Sequence, residues 1–304
     1  MKSVIIDNGS GTRLTFTEVV TAGFVLENAT GILELKGDVI RTENAMGDGS
    51  IWNSTRMKER NIVLTIRDEP FADHRRNRMR LYKAFQPKQP LTLTYTDGAV
   101  TRVIPVYTES VVADLKSRMN AYTVSLIAPY PYFTDAEPTD VNVSAWEAGW
   151  EWPAQAATPE EGEFEFDAET LDTDVLEYGT RTEDLIVSCE NLGDVPCGIV
   201  VTFAASGTVS APGIMNVDTG EKLSVEVTMG AGDTLVVDTR FGHRTAVLTS
   251  GGTASNVFRY IDAGSTFLQL SQGINNFTAL LEGSVATSAD LDITIQFENN
   301  YVGA

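Results

Sequence analysis

Cysteine and histidine are scarce: the 304 residues hold two of each. Two cysteines exclude a disulfide framework and a multi-cysteine zinc site, and two histidines leave little for His-dependent acid–base chemistry. His74 sits among arginines and His243 in a Phe-Gly-His-Arg turn, each without a second ligand at metal-binding spacing. No apolar run approaches the roughly 18 residues that a membrane-spanning helix needs. The opening Met1–Asp7 lacks the apolar core of a secretory signal, so a soluble, cytoplasmic protein is expected. Recognisable catalytic motifs are missing too. Asn8-Gly9-Ser10-Gly11 does not have Gly-x-Ser-x-Gly spacing, and Gly47-Asp48-Gly49-Ser50 and Ser250-Gly251-Gly252 read as turns rather than phosphate loops. No enzyme activity, cofactor or metal is expected.

Positive charge is short as well, and unevenly so. The chain has 22 Lys+Arg against 42 Asp+Glu, a net charge of −20. Residues 1–135 carry 17 basic and 15 acidic groups, whereas residues 136–304 carry 5 and 27. Between Asp135 and Glu177 there are 14 acids and no Lys or Arg. Such a balance repels nucleic acid and anionic lipid unless a basic patch intervenes. Like charges extend a chain and proline stops helices, so 136–162, with Pro138, Pro153 and Pro159, reads as an acidic connector. It separates a first domain, 1–135, from a second, 163–304. Trp146, Trp150 and Trp152 complicate a free tether, because indoles favour packing on a domain or a neighbouring chain.

With 42% hydrophobic residues the chain can bury a sizeable core, and its patterning is mostly β. Residues 60–67 form a β-branched run bounded by charges, and 91–96 alternate strictly before Asp97-Gly98, which suits a type I′ turn into 100–106. One helix is expected, opened by Pro70 and closed by Pro87, with Met79, Leu81, Tyr82 and Phe85 as its apolar stripe. Beyond 163, eight short strands (185–189, 198–204, 222–229, 234–238, 245–248, 265–270, 277–282 and 291–298) suit an antiparallel sandwich or jelly roll. Cys189 and Cys197 flank a turn and are expected as reduced, structural thiols.

Three groups are candidate contact residues. Trp52 and Met57 lie in a glycine-rich segment without strand or helix period, either a local anchor or an arm docking on a neighbour. Arg76, Arg80 and Lys83 line one helix face, a solvated or subunit-facing surface. Trp146 and Trp150 belong to the connector.

The order of segments resembles the distal tail protein family of phages with long, non-contractile tails. The likeness rests in the first domain on Gly47-Asp48-Gly49, Asn61–Ile66, the basic helix after Pro70 and Ala128–Phe133. In the second it rests on Asn191–Pro196, Asn216–Gly220, Gly232–Thr239 and Phe267–Asn275. It departs at Cys197 and Gly198 and in the length of the connector. The resemblance implies an N-terminal β-sandwich with one helix that builds a homohexameric ring, and a C-terminal galectin-like jelly roll projecting from it. It implies a structural protein of the virion tail tip, assembled in the host cytoplasm, that joins the tail tube protein to the tail tip protein. The tape measure protein is a further implied partner, DNA passes only in transit through an axial channel, and nothing inserts into a membrane. The alternative reading is a carbohydrate-binding, receptor-recognition protein. Against it, the second-domain aromatics Phe203, Phe241, Phe258, Tyr260, Phe267 and Phe277 are expected mostly in strands, hence in the core.

Overall fold

Alternation of period two decides which side chains of the first half meet inside. The computed structural model describes residues 2–44, 46–69, 73–115, 119–143, 145–148, 179–182, 186–285 and 290–304. The first elements are β1 (Lys2–Asp7), β2 (Arg13–Thr17), β3 (Phe24–Thr30), β4 (Gly37–Glu43), β5 (Ser50–Met57), β6 (Arg60–Asp68), α1 (His74–Ala84), β7 (Leu91–Asp97), β8 (Val100–Asp114), β9 (Ala121–Ala128) and β10 (Phe133–Asp135). Seven of these strands form one antiparallel sheet in the order β2-β1-β7-β8-β9-β6-β3. The fold is mainly β with one α-helix, as expected, but the first domain's two layers come from a single curled sheet. Strand β8 makes the corner. Its first half pairs β7, with Leu91 opposite Val106, and its second half pairs β9, with Tyr107 opposite Ile127. The register slips between Thr108 and Ser110, and such a bulge bends and twists a strand.

Helix α1 covers this core with half of the expected stripe, Leu81 and Phe85. Asp73 caps it by accepting from the Arg76 amide at 3.0 Å, while Pro70 lies outside the described residues. Leu81, Ala84 and Asn77 face inward, and Met79 and Tyr82 are exposed. At 100° per residue the 77/81/84 face wins, because Phe85, just past the last turn, stacks on Phe16 at 6.1 Å. The β7–β8 turn is also shifted by one residue. Asp97 pairs Val100, leaving Gly98 and Ala99 as the central pair with positive φ only at Gly98, the pattern of type II′ rather than I′.

The second half adds β11 (Thr139–Asn142), β12 (Ala145–Ala148), β13 (Gly179–Thr182), β14 (Val187–Asn191), β15 (Cys197–Ala205), β16 (Val209–Ser210), β17 (Pro212–Asn216), β18 (Lys222–Ser224) and β19 (Thr228–Met229). It continues with β20 (Thr234–Asp238), β21 (Thr245–Ser250), β22 (Thr253–Asn256), β23 (Gln269–Leu270), β24 (Gly273–Leu281), β25 (Ser284–Val285), β26 (Leu291–Phe297) and β27 (Asn300–Tyr301). One sheet runs β11-β26-β15-β20-β21-β22, and the other runs β14-β24-β17-β18. Phe203, Ile199, Val201, Leu235 and Ile295 of the first pack in one core with Phe277 and Ile214 of the second.

Several strands depart from the sequence reading. The expected strand over 222–229 breaks after Ser224, where Val225 instead bridges Ile261. The one over 265–270 shrinks to Gln269–Leu270. Strand β17 had no signal because it opens with Pro212 and Gly213. Proline at the first strand position loses little, and a Cβ on Gly213 would lie 2.6 Å from the Leu223 carbonyl oxygen. Cys189 and Cys197 lie on strands of opposite sheets rather than on one hairpin. Both are free and buried, and burial pushes their thiols up to about 11 and about 12.

The two halves exchange strands where they meet. Thr139–Asn142, inside the stretch read as connector, is the edge strand beside β26. Conversely, β27 leaves the sandwich and pairs β10, placing Tyr301 against the first core.

Candidate assembly surfaces

Among the described residues, strands β4 and β5 pair only with each other, so they stand apart from the curled sheet as an arm. The segment around Trp52 is therefore a strand and not the expected irregular loop. No alternation betrays it, because both faces are exposed and neither needs a continuous apolar row. A bulge between Ile40 and Arg41 puts Trp52 and Thr55 on one face, where Trp52 Nε1 donates to Thr55 Oγ1 at 2.9 Å. Trp52 is 65% exposed, and Val39, Ile40 and Ile51 are exposed with it. Lys58 Nζ and Arg56 Nε lie 3.2 and 3.4 Å from Asp38, and hold its carboxyl below the usual carboxylate range. These ion pairs sit on the surface, so they steer the hairpin more than they stabilise it.

The arm's root is built on Arg60, at the inward-facing end of β6. Its Nη1 donates to the carbonyls of Gly31, Ile32 and Glu34 at 2.7, 3.1 and 2.9 Å, and its Nε donates to Pro131 at 2.9 Å. Nη2 donates to the carbonyl of Val302, near the chain's end. The guanidinium lies 5.0 Å from the Phe133 ring centre, and its burial pulls its pKa below the usual arginine value. Gly31 passes so close that a Cβ would lie 2.0 Å from the Asn61 carbonyl oxygen, with φ at +82°. Met57, half-buried, borders a cavity of about 240 Å³ here with Glu34, Lys36, Lys58 and Arg60.

The helix residues divide. Arg76 and Lys83 are exposed, whereas Arg80 reaches back to donate to the Ala22 carbonyl at 2.8 Å and lies 5.5 Å above Phe24. With Met79 and Tyr82 they line an open hollow of about 560 Å³. Beneath the helix start, Asp68 is buried at the other end of β6. His74 Nδ1 lies 2.9 Å from its Oδ2, and Asn77, Asn120 and the Tyr122 hydroxyl donate at 3.3, 3.3 and 3.1 Å. Desolvation raises Tyr122 to about 12. Of the tryptophans, Trp146 lies in β12 opposite Arg181, and Trp150 falls outside the described residues.

Sequence reasoning missed the junction between the halves. The motif Asn191–Pro196 receives β27: the Asp194 amide donates to the Asn300 carbonyl at 2.8 Å and Asp194 Oδ2 accepts from the Val302 amide at 3.0 Å. A Cβ on Gly193 would lie 2.4 Å from the Asn300 carbonyl oxygen, so only glycine fits. Arg102 donates to Asp135 at 2.7 Å and lies 3.5 Å over Tyr301. Tyr130 stacks on Phe241 at 5.2 Å beside a cavity of about 240 Å³ that Cys197, Gly198, Arg240 and Asn300 also line. At Gly198, one of the two departures from the family pattern, a Cβ would lie 2.6 Å from Arg240 Cα.

Among the described residues, no group of three or more His, Cys, Asp or Glu is placed to hold a metal ion. None of their helices is long and apolar enough to cross a membrane. No curated protein matches the chain. Its fold is similar to the crystal structure of the Dit protein of phage SPP1, described as a paradigm of the hub adsorption apparatus in phages infecting Gram-positive bacteria. That likeness has a TM-score of 0.66 at 12% identity and covers 99% of each chain. Chains of the phage P2 baseplate in its activated conformation, with calcium or strontium, are similar at TM-scores of 0.58 and 0.57, each at 10% identity over 100% of both chains. Residues 192–301, a stretch that takes in all but the first residue of the β27-receiving motif together with β27 itself, match the family described as siphovirus-type tail component, C-terminal domain. Residues 192–301 are thus similar to a siphovirus-type tail component domain, within a chain whose whole fold is similar to that of Dit.

Proposed function

We propose that this protein is a distal tail hub of a siphovirus-type phage, a structural component of the virion tail and baseplate. The observation that carries this reading is the coincidence of the family match over 192–301 with a fold likeness spanning the whole chain. In this reading six copies close a ring through the first domain, join the tail tube to the tip complex, and leave an axial channel for DNA. A ring closes heterologous contacts that would otherwise grow into a fibre. The exposed β4–β5 arm, with unpaired edges and Trp52 on one face, supplies the contact to the next copy. The charge split supports the arrangement, since a first domain with nearly balanced charge packs against its copies without strong self-repulsion. The galectin-like sandwich, with 27 acids to 5 bases across residues 136–304, stays peripheral. The assembly is structural and carries no catalytic residues.

Negative-stain imaging and light scattering of the full-length protein test this directly. Six-fold rings are expected. A chain that remains monomeric at high concentration, or that forms open fibres, would overturn it. Fragments are poor substitutes, because residues 1–135 alone lack β27 and the Val302 carbonyl that Arg60 holds.

A further inference from the structure

Between His74 and Ala84, helix α1 carries five bases, Arg75, Arg76, Arg78, Arg80 and Lys83, and no acid. Its outer face opens on the hollow of about 560 Å³ lined by Arg76, Met79, Arg80, Tyr82, Lys83 and Gln86. Arg80 is already fixed, by its hydrogen bond to the Ala22 carbonyl and its place over Phe24. Arg76 and Lys83, two turns apart on one side, are exposed. Neither has a carboxylate within ion-pair distance among the described residues. Met79 and Tyr82, on the same hollow, are 61% and 43% exposed. The face thus shows apolar side chains among cations.

The opposite composition occurs elsewhere in the chain. Residues 149–178, outside the described residues, carry ten acids and no Lys or Arg. Six of these acids fall in 160–169, around Phe164 and Phe166. Carboxylates interleaved with phenyl rings match cations interleaved with Met79 and Tyr82, in sign and in apolar content. Neither side relieves its self-repulsion internally, since one has no base and the other no acid. Reach is not limiting. Strands β12 and β13 pair from Ala145 opposite Thr182 to Ala148 opposite Gly179, which holds the two ends of the stretch side by side. Out and back from that stem, the chain extends at most about 50 Å, more than the roughly 30 Å across a small domain. Tethering within one chain sets an effective concentration on the order of millimolar, so individually weak surface ion pairs suffice to close the contact.

We infer that the hollow on α1 is a docking surface for the acidic stretch 160–169 of the same chain. Arg76 and Lys83 take its carboxylates, and Met79 and Tyr82 take a phenylalanine ring. The inference does not rest on the ring reading: it concerns single copies, and rings seen or missed by imaging do not bear on it.

The test is zero-length carbodiimide coupling of the full-length protein, in an equal mixture of nitrogen-15-labelled and unlabelled copies, with the joined peptides mapped by mass spectrometry. Lys83 should couple to carboxylates of 160–169, both peptides carrying the same label. Its yield should be several times that of Lys36, which is exposed at the arm's root. In 1 M salt, where the screening length shortens to about 3 Å, the yield should fall several-fold. Arg76→Glu should lower it by a similar factor, and Arg76→Lys should keep most of it. If Arg76→Glu also lowers the thermal midpoint, the salt dependence and the Lys36 comparison carry the test. Pairs joining a labelled to an unlabelled peptide would put the stretch on a second copy, and coupling of Lys83 mainly to Glu43 or Asp48 would give the hollow to a neighbour's arm. Either result would overturn the proposal. So would Lys83 coupling no better than Lys36, a yield indifferent to salt, or a well-folded Arg76→Glu coupling like the parent.

Discussion

The two ends of β6 bury opposite charges and satisfy them by different means. Arg60 and Asp68 share the inward parity with Ile62, Leu64 and Ile66, so the pleat itself carries both into the interior. At one end a cation meets backbone: five carbonyls from residues 31, 32, 34, 131 and 302 converge on one guanidinium. At the other end an anion meets side chains, with His74 and Asn77 from α1 and Asn120 and Tyr122 at the start of β9. Here the backbone acceptors come from three separate segments, the arm's root, the β9–β10 turn and the chain's end. Side-chain donors come from elements already packed. Arg60 therefore determines architecture between parts, and Asp68 orients a helix on its own sheet.

The sharpest way to break this comparison is to remove each charge in turn. Arg60→Met keeps the buried length of the side chain but strips five carbonyls of their donor, three of them in buried hydrogen bonds. It should cost about 3–5 kcal/mol in chemical denaturation of the monomer. Hydrogen exchange should rise in 31–36 and 299–304 together. Truncation after Asn299 removes the Val302 carbonyl and Tyr301, so its cost should combine with Arg60→Met in a strongly non-additive way. Additive losses would mean that Arg60 does not couple the chain's end to the arm.

Asp68→Asn should cost less, about 1–3 kcal/mol, because the amide keeps some partners and the helix remains anchored by Leu81, Ala84 and Phe85. Its exchange signature should be confined to the start of α1 and the turn around Asn120. A rise at the C-terminal segment equal to that of Arg60→Met would erase the distinction between the two ends.

The buried thiols report the same difference from a distance. Cys197 lines the junction cavity beside Asn300, while Cys189 lies deep in the sandwich core. Only the thiolate attacks an alkylating agent, and burial has raised both groups from 9.0, to about 11 and about 12. Labelling of the folded chain at neutral pH should therefore be slow. Arg60→Met should quicken it at Cys197, whereas Asp68→Asn should not. The sign for stability follows. Below about pH 9 both states keep their thiol protons; above it the unfolded chain sheds them first, so stability falls as pH rises toward the folded values. A stability curve that is flat or rising between pH 9 and 11 would contradict the burial of these groups.

Much of this was legible in sequence wherever one face of an element is buried. The cores of β6, β7, β9 and the sandwich strands followed from parity, and the single helix from its three- and four-residue apolar spacing. The charge at 60 reads as a strand boundary, although the same parity places it, and Asp68 just beyond the run, inward; a charge flanking an apolar run looks alike whether it is solvated or satisfied. The return of β27 left no pattern, because two residues cannot show a period and their partner, β10, has only three. The arm escaped for the opposite reason, being exposed on both faces. Phe203 and Phe277 lie in the core as expected, but Phe258 and Tyr260 are 41% and 39% exposed on a 3-10 turn. Local sequence does not separate an aromatic on a surface turn from one in a core strand.

The smallest expected effect on the isolated chain belongs to Trp52, the residue proposed to dock on the next copy. Trp52→Ala removes an indole that is 65% exposed and one exposed hydrogen bond, to Thr55. Surface changes of this kind fall within about 0.5 kcal/mol, so the monomer's thermal midpoint should barely move. If the arm docks on the next copy, the same substitution deletes an aromatic anchor from an interface, where such residues commonly cost about 2 kcal/mol or more per contact. A closed ring of identical contacts repeats that loss at every junction, so ring formation should shift to much higher protein concentration. Arg60→Met should disturb both quantities, because it loosens the arm's root as well as the monomer. Trp52→Ala should separate them. Light scattering against concentration, beside a melt of the same sample, reads the two effects at once. Normal rings from Trp52→Ala would move the contact off the arm and onto the helix face of Arg76, Met79 and Tyr82, where Met79→Ala is the next substitution to make.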